Sequence, residues 1–216
     1  MTAATIGPPL VQLPASAAGA TAPPAAPTAG WTPHRWTLKS YRELYKTGLF
    51  TDKKTMLVNG VLYVMTMPNP PHDLVMTLAF DYLRLNCPAG HYVRNQQGFD
   101  IGSETDPGPD FAIVAGTARD YAARTPTAAI LIVEVSDSTL FFDTTTKAEL
   151  YATAKVPEYW VVDIQHRQLH VFTDPVALPA GLGATAYRKH VAHGETDTVS
   201  PLAAPTATVL VAELLP

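Results

Sequence analysis

The residue with most chemical content sits where a charge is least expected. In Ile130-Leu-Ile-Val-Glu134-Val-Ser136 a carboxylate interrupts an apolar run that otherwise reads as a fully buried strand. Held there alone, that charge costs roughly several kcal/mol, so Glu134 calls for a metal, a cation or a cluster of donors. The plainer alternative places it at the strand's exposed end, bound to a backbone amide. Asp110 follows Pro107-Gly108-Pro109 and opens a second apolar strand, Phe111-Ala-Ile-Val114; read by itself it is an ordinary turn aspartate. Read together, two acids entering neighbouring strands can converge from one sheet face on a hard cation, and Mg²⁺ favours carboxylate oxygens and water. Lys147 lies four residues after Asp143, with Tyr151 a turn further on, so one helix face carries all three. A helix following the Glu134 strand can aim that ammonium at the carboxylates, where it would orient an attacking water or offset charge on a pentacoordinate phosphate. The alternative is a surface pair worth about a few tenths of a kcal/mol.

Other chemistries find no support. Ser136, Ser138 and His72 lack the Gly-x-Ser-x-Gly elbow of a hydrolase triad. Cys87 precedes Pro88 in a turn, and the 7 histidines show neither HExxH nor paired ligand spacing. One cysteine excludes a disulfide framework or a multi-cysteine zinc site and fits a reducing cytosol. With 15 Lys+Arg against 19 Asp+Glu, the formal charge of −4 excludes a generally polybasic nucleic-acid binder while leaving room for a local basic cleft. No apolar run reaches the roughly 18 residues of a membrane span.

These side chains need elements to hold them. Met1 to Gly30 is dominated by Ala, Pro, Thr and Gly and has no charged side chain, so it reads as a disordered tail. Residues 31–216 read as a single domain. A helix is predicted over Thr37 to Lys46, with Ser40 and Glu43 at capping-box spacing. A hairpin is predicted over Thr55 to Met65, around Asn59-Gly60. A second helix runs from His72 to Leu85 with Leu74, Leu78, Tyr82 and Leu85 inward. Strands follow at Tyr92 to Ile101, Asp110 to Val114 and Ile130 to Val135. A helix capped by Asp143 is predicted over Thr144 to Thr153. Strands at Tyr159 to Ile164 and Leu169 to Phe172 complete a mixed α/β pattern of one sheet and few helices.

Pro109-Asp110, Glu134-Val-Ser-Asp-Ser-Thr139, Asp143-x-x-x-Lys147-x-x-x-Tyr151 and Val156-Pro-Glu-Tyr-Trp-Val-Val-Asp163 occur in that order. The ordered set, with Gly60, His72 and Gln97, closely resembles the Uma-type restriction endonuclease family of the PD-(D/E)xK nuclease superfamily, from about Trp36 to the C-terminus. The resemblance implies a restriction-endonuclease-like core, a central mixed sheet with a helix on either side. It implies Asp110 and Glu134 as ligands of Mg²⁺ (or Mn²⁺), the Val135 carbonyl as a further ligand, and Lys147 as the catalytic lysine. The superfamily's usual lysine position, two residues after the glutamate, is Ser136 here. His72, Gln97, Asp143 and Tyr151 are the supporting residues. The implied activity is hydrolysis of DNA phosphodiester bonds in the cytoplasm, with a homodimer suited to cutting two strands. Members usually carry acids in the hairpin before and just after the glycine; here Met56 and Val61 occupy those places. Glu104 and Asp106, in a loop that reads as flexible, are acids available to compensate. That departure keeps open a catalytically inactive nuclease fold serving as a binding or assembly module.

Overall fold

The computed structural model describes residues 32–51, 53–65, 69–178 and 185–216, so the expected tail of Met1 to Gly30 lies outside the described residues. Thr37 caps α1 (Leu38–Lys46): its hydroxyl accepts from the Ser40 amide, and the Ser40 hydroxyl accepts from the Thr37 amide. The capping pair is therefore Thr37 and Ser40 rather than Ser40 and Glu43; Glu43 pairs instead with Lys46. Strands β1 (Lys54–Val58) and β2 (Val61–Met65) form the expected hairpin. Asn59 (φ 48°) and Gly60 (φ 74°) take the left-handed backbone that a two-residue turn demands.

Helix α2 (Pro70–Leu85) begins two residues before the expected His72. The Asn69 side chain accepts from the His72 amide, and prolines fill the first helical positions, where an amide has no partner. Its inward face is Val75, Ala79 and Leu83. Leu74 and Leu85, expected inside, are exposed, because the true apolar stripe lies one residue along.

A six-stranded mixed sheet follows the order β3 (His91–Asn95), β4 (Phe111–Ala115), β5 (Leu131–Ser136), β6 (Glu158–Asp163), β7 (Gln168–Ala177), β8 (Thr185–Gly194). All neighbours are antiparallel except β5 and β6. That parallel step requires a crossover, supplied by a helical run of α3 (Leu140–Phe142), a π-helical stretch (Asp143–Lys147) and α4 (Ala148–Thr153). Asp143 thus lies inside the helical run, with φ −69° and ψ −40°, and is not the N-cap its position suggested. Alternation sorts the sheet's two faces. Phe111, Ile113, Leu131 and Val133 pack against Val75, Ala79 and Leu83 of α2. Ala112, Val114, Ile132 and Val161 pack against Ala148 and Tyr151 of α4. The sheet with one helix layer on each side is the expected architecture. Among the described residues, no helix is long and apolar enough to cross a membrane.

Candidate active site

The β4–β5 register pairs Phe111 with Val133, and one step further along that ladder Asp110 stands opposite Glu134. Both belong to the alternation set of Ala112 and Ile132, so the two acids share the α4 face of the sheet. Both are buried, at 2% and 1% exposure. Each is fully met by donors. Asp110 Oδ2 accepts from the Val135 amide at 2.9 Å, and Oδ1 takes the Lys54 ammonium at 2.6 Å. Glu134 Oε1 accepts from the Tyr151 hydroxyl at 2.5 Å, and Oε2 takes the Lys147 ammonium at 2.9 Å. Glu134 is therefore no exposed strand-end acid bound to an amide.

Lys147 also lies 3.1 Å from Asp143 Oδ1, and its side chain is 7% exposed. The i,i+4 pair is real, but it faces inward. The π-helical turn contributes to this placement: it widens the backbone between Asp143 and Lys147, as such turns do at many functional sites. The run Thr144-Thr145-Thr146 is β-branched and a weak helix former, and the Thr144 and Thr145 hydroxyls donate to the Leu140 and Phe141 carbonyls. Asp143 in turn accepts from the Thr139 hydroxyl at 2.5 Å.

The two acids are shifted in opposite directions. Burial pulls the Asp110 carboxyl upward, but Lys54, Lys147 and the Val135 amide outweigh it and hold it below the ordinary range. Burial pushes Glu134 up to about 7; Lys147 opposes this, while the negative charges of Asp110 and Asp143 reinforce it. Burial would lower Lys147, yet Glu134, Asp143 and Asp110 around it reverse the sign and keep it charged. Both partners of the Glu134–Lys147 pair are thus pushed up, the lysine by three carboxylates and the glutamate because one shared ammonium does not offset its burial. Tyr151, driven well above its usual value by burial and then by Glu134, stays a hydroxyl donor. Neighbouring carboxylates whose pKa values are pushed in opposite directions are a mark of acid–base sites.

A cavity of about 840 Å³ is lined by Val135, His72 and Lys54, which adjoin the pair, and not by Asp110 or Glu134 themselves. His72 Nε2 is 4.0 Å from Asp110 Oδ2, and its Nδ1 is buried without a hydrogen-bond partner. Gln97 lines the cavity from the segment after β3, which ends at Asn95 rather than continuing to Ile101 as expected. Helix α1 presents Tyr41, Arg42, Tyr45 and Lys46, and Lys53 joins Lys54 from the hairpin. Arg42, Lys46, Lys53 and Lys54 thus share one opening. Asp106 lines it too, but its Oδ1 accepts from the Phe99 and Gly108 amides, and its backbone bridges Leu57. The loop expected to be flexible is pinned, and Asp106 is occupied in pinning it. Met56 is buried against Val58 and Leu150, whereas Val61 is 46% exposed.

Sequence reasoning missed Lys54, because nothing in Lys53-Lys54-Thr55 distinguishes one lysine; only the hairpin's docking on the Asp106 loop carries it to Asp110. The α1 face was detectable, since positions 41, 42, 45 and 46 fall on one side of a helix.

Hard oxygen donors suit a divalent cation. Asp110 already holds a positive group, the Lys54 ammonium, as a stand-in at Oδ1. The Val135 carbonyl points to the same strand side as its amide, toward Asp110. Among the described residues, no group of three or more His, Cys, Asp or Glu side chains is arranged to hold a metal. A Mg²⁺ site of two carboxylates, a carbonyl and water needs no such group.

No curated protein matches the chain. Among solved structures it resembles the crystal structure of "a putative nuclease belonging to DUF820" from Anabaena variabilis ATCC 29413. The match has a TM-score of 0.62 at 14% identity and covers 83% of this chain and 97% of that one, a likeness of fold. The profile of the family described as "Putative restriction endonuclease" matches residues 38–212. On the strength of that match the chain belongs to the Uma2 family of restriction endonuclease-like proteins.

Proposed function

We propose that this protein is a metal-dependent hydrolase of DNA phosphodiester bonds, with Asp110, Glu134 and the Val135 carbonyl holding Mg²⁺ or Mn²⁺. The observation that carries this reading is the register-opposed acid pair, whose partners Lys54 and Val135 line a cavity edged with cations. A cation bound there would polarise the scissile phosphate and lower the pKa of a bound water. Lys147 is ion-paired with both Glu134 and Asp143, at 2.9 and 3.1 Å, and its charge would orient the attacking water or offset charge on the phosphate. Tyr151 fixes the second Glu134 oxygen, and Asp143 anchors the lysine. His72 lies near enough to Asp110 to share a water with it. Gln97 lines the cavity and gives an amide to the substrate, while Lys46 and Lys53 meet its backbone phosphates. A homodimer in the cytoplasm supplies two such sites for two strands.

The test is cleavage of plasmid and short duplex DNA with and without Mg²⁺, alongside Glu134→Gln. Metal-dependent cleavage lost in the variant supports the reading. A second reading rests on Lys54 and Met56: the ammonium on Asp110 and an apolar residue where the family resemblance calls for an acid suit a fold that binds DNA without cutting it. Salt-sensitive DNA binding, with no cleavage in Mg²⁺ or Mn²⁺, favours that module.

A further inference from the structure

Asp110 is buried with its side chain 3% exposed, and the ammonium in direct contact with it is not that of Lys147. Lys147 is committed to Glu134 and Asp143. The cation on Asp110 is Lys54, from a hairpin that belongs to a separate two-stranded sheet and is tied to the Asp106 loop by the Leu57–Asp106 bridge. Lys54 keeps 30% of its side chain exposed and lines the cavity, so its ammonium stands between that opening and the buried carboxylate. Two residues along the same strand face, Met56 turns into the apolar cluster of Val58 and Leu150. At this site β1 therefore brings a positive charge and no carboxylate.

A lysine ammonium and a divalent cation are alternative partners for one carboxylate oxygen. Held together on Asp110 they would repel, and the four-carbon lysine stem can swing where a buried side chain cannot. We propose that Lys54 is a built-in competitor for the metal: it neutralises Asp110 in the metal-free protein and must leave for the cavity before Asp110 can take a divalent cation. This rests on the reading of Asp110 as a metal ligand. Lys54 is then a latch residue that sets how much metal the site needs, and the cavity it would enter is the one edged by Lys46 and Lys53, where phosphates of a bound strand offer it a new partner.

The test is calorimetric titration of the full chain with Mn²⁺, for the native protein, Lys54→Met and Lys54→Gln, each with and without Asp110→Asn. Thermal melts with and without Mn²⁺ accompany it. Lys54→Gln keeps an uncharged donor for Asp110 in case Lys54→Met folds poorly. The expected result is Mn²⁺ binding at least about tenfold tighter in the Lys54 variants, abolished by Asp110→Asn. Their metal-free midpoints should be lowered, and Mn²⁺ should restore them. Native binding that Asp110→Asn abolishes but that the Lys54 variants leave unchanged or weakened overturns the latch alone. Mn²⁺ binding that is absent throughout, or that survives Asp110→Asn, overturns the metal reading and the latch with it.

Discussion

Removing the Lys147 charge gives the sharpest energetic forecast. The sequence spacing allowed an exposed i,i+4 pair whose loss would barely affect stability. In the folded protein Lys147 is 6% exposed and lies 2.9 Å from Glu134 and 3.1 Å from Asp143. Lys147→Met keeps the stem's volume and leaves two buried carboxylates facing each other. Breaking a buried pair from one side costs about 3–5 kcal/mol, so the variant should lose that much at about pH 8. Acid should relieve it. In the native protein Glu134 is already raised from 4.5 to about 7, so its contribution is fully present below 4.5 and is lost as pH rises through 7. Without Lys147 the Glu134 carboxyl rises further, so the deficit against the native protein should be small below about pH 4.5 and grow upward through neutrality. Urea unfolding followed by circular dichroism, at about pH 5 and about pH 8, measures this directly. Adding Glu134→Gln should recover part of the loss, with a coupling of about 1–3 kcal/mol. A Lys147→Met protein within about 0.5 kcal/mol of native at about pH 8, or a loss independent of pH, would refute the buried-triad reasoning.

The hairpin positions should behave oppositely. Met56→Glu places a carboxylate among Val58 and Leu150 and should cost about 2 kcal/mol or more without metal, whereas Val61→Glu, half exposed, should stay within about 0.5 kcal/mol; chemical denaturation separates them. A chain starting at Trp31 should keep the thermal midpoint of the full chain, because the uncharged Ala/Pro-rich tail lacks a core-forming pattern; a drop of several degrees in a calorimetric scan would mean that it packs on the domain.

Much of the site was legible where burial and charge conflict. Glu134 announces itself because a carboxylate cannot sit idle in an all-apolar strand, and Asp110 follows because two such strands pair. The spacing of Asp143, Lys147 and Tyr151 correctly put three side chains on one helix face. It could not say whether that face looks outward, since the same i,i+4 rule describes surface pairs and buried ones. The π-helical turn left no periodic trace, so Asp143 looked like a cap. In α2, Leu74 and Leu85 mimic an inward stripe that Val75, Ala79 and Leu83 actually form, because a helix with apolar residues on adjacent rows has no unique face by periodicity alone. Lys54 was illegible for a different reason. Its role depends on the docking of a hairpin on a loop some fifty positions away in sequence, and no local pattern encodes that contact.

The account stands most directly on whether a cation binds between the paired acids. Crystals soaked in Mn²⁺ at about pH 8, where Glu134 is largely ionised, should show an anomalous peak within about 2.5 Å of Asp110, Glu134 and the Val135 carbonyl, with the Lys54 ammonium withdrawn from Asp110. Crystals that give no anomalous density there, with Lys54 still seated on Asp110 at saturating Mn²⁺, would contradict it.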